Sequence, residues 1–362
     1  MKKNNIVYLL FVSTLMATIT SCSKSNNDTS NTSSLQQSQT QTLSDFVNVL
    51  GQPLYADFVT KATTLNNAVQ TLINNPTVAN QTAAQQAWVA TRVTWEQSEG
   101  FLIGPVEDNS YDPNMDTWPT DRNAINALLS SNPNMTDRFL DNVDDALKGF
   151  HPLEYYLWDF DPSTYTSPQK NYMTALAANI LDQTKALQAS WISGGFGNEI
   201  INAGKSGSRY TTQRDALGAI ANALIDICNE VGETKMPAPF GASAAAADST
   251  QTESPYSHNS IADFTNNIQG AYNSYTCSYG GKTGTSLSSL VQINNKNLDN
   301  QIRQAFATAI NSFSAFNGTT FEKAIYNNRP AVQNTITAIG NLKALLDGTN
   351  GLVNYIQTYI KN

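Results

Sequence analysis

Residues 54–72 read LYADFVTKATTLNNAVQTL. Leu54, Phe58, Ala62, Leu65, Val69 and Leu72 recur at intervals of three and four, which lays one apolar stripe along a helix. The same period returns along most of the chain. Alternating Val/Ile/Thr/Tyr runs between turn dipeptides, the mark of strands, are scarce. Working outward, the spacing predicts a helix over 78–102, led by Asn75-Pro76. Shorter helices follow over 121–129 and 137–148, the second started by Thr136 and Asp137. A long helix fits 168–191, with Ser167 as N-cap and Pro168 at its first position. Gly194, Gly195 and Gly197 stop it, and a Gly/Ser/Lys-rich stretch to Ser208 marks a domain boundary. The second half predicts helices over 212–231, 261–275, 287–316, 320–346 and 351–360. A low-complexity loop covers 237–254, and Tyr279-Gly280-Gly281 is a break. The expected fold class is all-α: two helical, four-helix-type bundles packed side by side, over residues 43–200 and 208–362.

Composition narrows the function. The chain has 362 residues, 40% of them hydrophobic, enough for two cores. Its formal net charge of −8, with no Lys/Arg-rich run, argues against nucleic-acid binding, which needs a basic patch. Two histidines, His151 and His258, exclude a multi-histidine zinc site within one chain. Any metal site here must be mostly carboxylate.

The N-terminus reads as a targeting segment. Lys2 and Lys3 precede a largely apolar run from Ile6 to Ile19, too short to span a bilayer and right for a signal peptide. It ends Ile19-Thr20-Ser21-Cys22, a bacterial lipoprotein cleavage pattern that makes Cys22 the expected lipidation site. Cleavage of residues 1–21 would remove both lysines and take the net charge from −8 to −10. Residues 22–42 contain one leucine and read as a flexible tether. The lipid would be the chain's one membrane attachment, on the outer membrane, facing either the periplasm or the cell surface. Cys228 and Cys277 would lie in an oxidising compartment, where pairing and separate thiols both remain open.

Three stretches carry chemistry. In residues 88–99, Trp88, Arg92, Trp95 and Glu99 share one helical face, and Glu96 lies beside it. Tryptophans on that face imply burial, and buried charges must be paired or hold a ligand. A solvated Arg92–Glu96 pair is the alternative. In Gly149-Phe150-His151-Pro152-Leu153-Glu154, an imidazole and a carboxylate stand at i and i+3. That is half of a carboxylate-rich metal site such as those of di-iron bundles, although the pair alone also suits a structural histidine. Pro152 fits the first turn. In residues 253–260 (ESPYSHNS), small polar residues surround His258, and Ser260 with Asp263 has the form of a capping box. Asp116, in the loop stretch DTWPTD (116–121), is a further candidate ligand.

Taken in order, AWVATRVTWEQSEGFLIGP (87–105), DTWPTD, GFHPLE (149–154) and ESPYSHNS resemble the imelysin family. Gly149, His151 and Glu154 meet its Gly-x-His-x-x-Glu hallmark, and the resemblance covers the chain after the tether. It implies two helical bundles with the motif near their interface. The family includes bacterial lipoproteins and iron-regulated proteins, and is related to the metal-binding domain of EfeO-type iron-uptake proteins. It also carries a peptidase label from an insulin-cleaving member. By resemblance to the EfeO-type relatives, Glu96, Glu99, Asp116, His151 and Glu154 are implied metal ligands. Arg92, Trp95, Ser257 and His258 are implied to line the cleft between bundles, and Gly149 and Pro152 to shape the motif.

Oxygen donors with one imidazole suit iron, manganese or zinc. The first expectation is a lipoprotein that binds iron or an iron-bearing ligand and assists uptake, with a receptor or transporter as partner. The second is a zinc metallopeptidase. The chain has no HExxH motif, and Tyr155 stands one turn after His151, which ranks the peptidase below the iron-binding reading. The third is a surface interaction protein without metal.

Overall fold

The computed structural model describes residues 27–192 and 194–360; the segment read as a signal peptide and the expected lipidation site Cys22 lie outside the described residues. In the first half the helices are α1 (Asn27–Asp45), α2 (Gln52–Asn74), α3 (Val78–Ser98), α4 (Pro105–Asp108), α5 (Tyr111–Asp116), α6 (Arg122–Ser131), α7 (Asp137–Leu140), α8 (Phe150–Asp159), α9 (Ser167–Trp191) and α10 (Phe196–Ile201). In the second half they are α11 (Gln213–Asn229), α12 (Pro237–Phe240), α13 (Ser260–Thr276), α14 (Leu287–Asn294), α15 (Lys296–Ser312), α16 (Phe321–Asn327), α17 (Arg329–Asp347) and α18 (Leu352–Tyr359). The fold is all-α, as the periodicity predicts. A two-residue hairpin, Ser278–Tyr279 with Lys282–Thr283, forms at the expected break, where Gly280 and Gly281 both take positive φ.

Several expected helices are divided, each for a local reason. The 287–316 helix breaks at Asn295, whose side chain accepts from the Leu298 N–H (3.1 Å) and starts α15. The 320–346 helix breaks at Asn328, two residues before Pro330 in the first turn of α17. The 137–148 helix gives way after Leu140. Asp144 then accepts from Ala146 N–H (3.0 Å) to start a single 3₁₀ turn. The N-cap of α9 is Thr166 with Gln169, one residue before the expected Ser167. In contrast, α11 runs on as a π-helical turn over Glu230–Lys235.

The tether expected to reach residue 42 is shorter. Leu35 packs against the core, and Gln39, Thr42, Leu43 and Phe46 are buried. Their spacing of three and four makes a stripe, and uncharged glutamine and threonine cost far less to bury than a charged side chain would. This face of α1 packs against α10, α11 and α14, so the N-terminal helix touches both halves.

The long helices pack in two sets. In the first, α2 packs on α3 and α9, and α8 on α3 and α9. In the second, α11 packs on α13 and α17, and α15 on the same two. The sets meet where α3 lies along α13, and one apolar cluster runs through both. That crossing depends on two glycines. A Cβ on Gly100 would stand 2.3 Å from the Gly270 carbonyl carbon, and one on Gly270 would stand 2.2 Å from the Gln97 oxygen. No helix among the described residues is long and apolar enough to cross a membrane. Cys228 and Cys277 are separate, buried thiols.

Candidate metal centre

The stripe on α3 is buried. Trp88, Arg92 and Trp95 are closed to solvent, and so are Glu96 and Glu99. The Arg92 guanidinium lies over the rings of Trp88 (5.6 Å) and Phe150 (5.2 Å). Its Nη1 pairs with Asp116 Oδ1 and its Nη2 with Glu96 Oε1, the predicted i,i+4 pair, now in the interior. Nη2 also reaches Glu253 Oε1 (3.0 Å), and Nε lies 3.5 Å from Asp263 Oδ1 without hydrogen-bond alignment. Burial works to lower the Arg92 pKa, but the surrounding carboxylates outweigh it and hold the pKa well above its ordinary value.

Gly149 decides where the motif sits. Its φ of +85° suits glycine, and an added Cβ would stand 2.1 Å from the Met115 carbonyl oxygen. The start of α8 therefore presses onto the end of α5, next to Asp116. His151 Nε2 lies 3.1 Å from Asp116 Oδ1 and 3.9 Å from Glu253 Oε1, while Nδ1 lies 3.4 Å from Glu154 Oε2. Burial alone would lower the His151 pKa; Asp116 and Glu154 beside the ring push it up to about 10. Burial would likewise raise Asp116, but Arg92 and His151 hold it far below the usual carboxylate range. Trp95 Nε1 donates to the other Asp116 oxygen (2.6 Å).

Glu154 has a different task from the convergent ligands. Its Oε1 accepts from the backbone N–H of Tyr256 (3.2 Å) and Ser257 (2.7 Å) and from the Ser257 hydroxyl (2.7 Å). It thus holds the 253–260 loop of the second half against the motif and orients the imidazole with its remaining oxygen. That loop brings in Glu253.

Two further residues come from the second half. Asn267 on α13 donates to Glu96 Oε2 (2.5 Å) and Glu99 Oε2 (2.6 Å). Burial raises both of these carboxyls well above their ordinary pKa. The π-helical turn projects Lys235, whose Nζ lies 3.4 Å from Glu99 Oε2 and 3.3 Å from Glu253 Oε1. Such turns recur at functional sites.

Among the described residues, two ligand groups emerge. Atoms of Asp116, His151 and Glu253 lie within 4.8 Å of one another, and so do atoms of Glu96, Glu99 and Asp116. Glu253 Oε2 is buried with no hydrogen-bond partner, whereas Glu96 Oε1 has Arg92 Nη2 and His151 Nε2 faces Asp116 Oδ1 at 3.1 Å. An orphaned carboxylate oxygen such as Glu253 Oε2 in a low-dielectric site is costly unless a cation completes it. An imidazole with carboxylate oxygens fits iron, manganese or zinc.

Of the residues implied by sequence, Glu96, Glu99, Asp116, His151, Glu154, Arg92 and Trp95 come together here. Ser257 binds Glu154. His258 stands apart, about half exposed (49%), with its Nδ1 3.4 Å from Glu322 Oε2. The Ser260–Asp263 capping box does not form. Instead Ser260 bonds Glu322 (2.7 Å), and Asp263 accepts from Ser254 (2.6 Å) and Asn259 (2.7 Å) beside Arg92. Sequence reasoning missed Glu253, Lys235, Asp263 and Asn267 as site residues. Glu253 opens the ESPYSHNS stretch and could have been found there; nothing near Lys235 or Asn267 signals their place.

Comparison with known proteins agrees with this architecture. The family profile described as Imelysin (Peptidase_M75) matches residues 51–348. Iron-regulated protein A of Synechococcus elongatus is 31% identical over 274 residues, covering 74% of this chain and 73% of the relative. A crystal structure described as an iron-regulated protein A precursor candidate, from Parabacteroides distasonis, superposes with a TM-score of 0.78. It is 24% identical and covers 88% of this chain and 95% of its own. An imelysin-like protein from Psychrobacter arcticum, 16% identical, gives a TM-score of 0.71 over 86% of this chain and 94% of its own. The chain belongs to the imelysin family.

Proposed function

We propose that this chain is a cell-envelope lipoprotein, anchored through Cys22 at the outer membrane, that binds iron between its two helical sets and assists iron uptake. One observation carries the reading. Asp116, His151 and Glu253 converge within 4.8 Å, and Glu253 Oε2 is left without a hydrogen-bond partner. Iron would take Asp116, His151 and Glu253 as ligands, with Glu96 and Glu99 close enough to add oxygens. Zinc fits the same donors by type. Arg92 and Lys235 serve as internal counter-charges to the carboxylates when the metal is away. The name of the Synechococcus relative, an iron-regulated protein, supports iron over other cations.

The peptidase reading is weaker. It needs a carboxylate free to act on a metal-bound water. Glu154, the carboxylate that shares the His151 motif, has one oxygen filled by three donors and the other turned to His151.

The test is anaerobic titration of Fe²⁺ into the chelator-stripped full chain, read by calorimetry and elemental analysis. The reading predicts stoichiometric binding that the His151→Ala/Glu253→Gln variant loses. Equal affinity in the variant, or no binding by the wild type, would sink it.

A further inference from the structure

Glu99 faces two ways. Its Oε2 lies inside the buried cluster, held by Asn267 and Lys235. The residue also forms the inner end of a cavity of about 290 Å³ between the 99–113 segment and α11. Among the described residues, five carboxylates line that cavity, Glu99, Glu107, Asp112, Asp226 and Glu230, and no basic residue does. Burial holds Asp112 and Asp226 above the usual carboxylate range, Asp112 at about 7.

The cavity and the metal centre meet at Lys235. Its Nζ lies 3.2 Å from Glu230 in the cavity wall and 3.4 Å from Glu99 at the inner end. It also lies 3.3 Å from Oε1 of Glu253, whose other oxygen is buried and unpartnered. An ammonium therefore bridges the acidic cavity to a ligand of the Asp116–His151–Glu253 group.

We infer that this cavity is the path by which a hydrated divalent cation reaches the buried group, with Lys235 as the displaceable counter-ion at its inner end. The inference rests on the metal-binding reading above and adds the route. A cleft lined by one sign of charge between low-dielectric walls raises the local concentration of the opposite ion and its rate of arrival. The lysine side chain is a mobile point charge, so it can yield its carboxylates to an incoming cation without unfolding the π-helical turn.

Stopped-flow mixing of Fe²⁺ with the stripped full chain tests this. Trp95, bonded to Asp116, supplies a fluorescence reporter at the site itself. Asp112→Asn/Asp226→Asn removes charge from the cavity without touching the ligand group. Ser110→Lys, at an exposed lining position, adds opposing charge from the other side and guards against a folding defect in the first variant. Both variants should bind Fe²⁺ about 10-fold more slowly at low salt, with a shallower salt dependence and a dissociation rate within about twofold of wild type. Wild-type association rates and salt dependence in both variants would overturn the route while leaving the binding site standing. A wild-type chain that takes up no Fe²⁺ would overturn the site and the route together.

Discussion

His151 Nε2 stands 3.9 Å from Glu253 Oε1, although the two belong to opposite halves of the chain. Neither half holds the ligand group alone. What brings them together is a set of close approaches: Gly149 on Met115, Gly100 on Gly270, and the Glu154 carboxylate on the backbone of Tyr256 and Ser257.

Gly149→Ala is therefore expected to act on stability and site together. The added methyl meets a backbone carbonyl, and the positive φ disfavours any side chain. Urea unfolding should show a loss of about 2–4 kcal/mol, and Fe²⁺ affinity should fall with it as Asp116 and His151 separate. An alanine variant with wild-type stability would mean that α8 does not need this contact.

Arg92→Met leaves Glu96, Asp116, Glu253 and Asp263 without their shared cation. Breaking one side of a buried ion network costs about 3–5 kcal/mol. Calorimetry should show that loss in chelator, and Fe²⁺ should raise the Tm of the variant by more than that of the wild type, because the metal supplies missing positive charge. Equal metal-induced shifts in the two proteins would separate Arg92 from the metal centre.

The metal-free protein should lose stability as pH rises. His151 is held at about 10 in the folded chain, above its ordinary 6.5. Its contribution is complete below pH 6.5 and disappears as pH climbs through 10. Over that window folding stability should fall by up to about 1.4 kcal/mol per pH unit from this group. The difference in unfolding free energy between wild type and His151→Gln, measured across pH 6.5–10, should carry that slope. A flat difference would show that Asp116 and Glu154 do not hold the imidazolium.

Cys228 and Cys277 should stay reduced and inert in the folded chain. Burial pushes both thiols up to about 12, which suppresses the reactive thiolate. Neither should react with a thiol reagent until denaturant is added, and a reductant should leave the Tm unchanged. A drop in Tm on reduction would indicate that they are bridged.

Much of the fold is legible in residue spacing, because a stripe at three and four survives however the helices pack. Leu54 through Leu72 form one helix as read. Helix ends are less legible, since Asn295 and Asn328 divide helices, and Asp144 starts a separate 3₁₀ turn, through local side-chain and proline effects inside periodic runs. The beginning of the packed chain was hidden because α1 buries glutamine and threonine, which composition counts as solvent-loving. In the site, Trp88, Arg92 and Trp95 reveal themselves by placing a charge between two tryptophans. His151 and Glu154 reveal themselves by their i,i+3 spacing. Lys235 and Asn267 reach the site through tertiary packing and a π-helical turn, neither of which leaves a sequence pattern.

The most direct measurement is an anomalous difference map, collected at the iron absorption edge, from crystals of the Fe²⁺-loaded chain. A single strong peak bonded to Asp116, His151 Nε2 and Glu253, absent in His151→Ala/Glu253→Gln crystals, is the predicted result. No peak there, or a peak confined to another part of the molecule, would contradict iron binding at this centre.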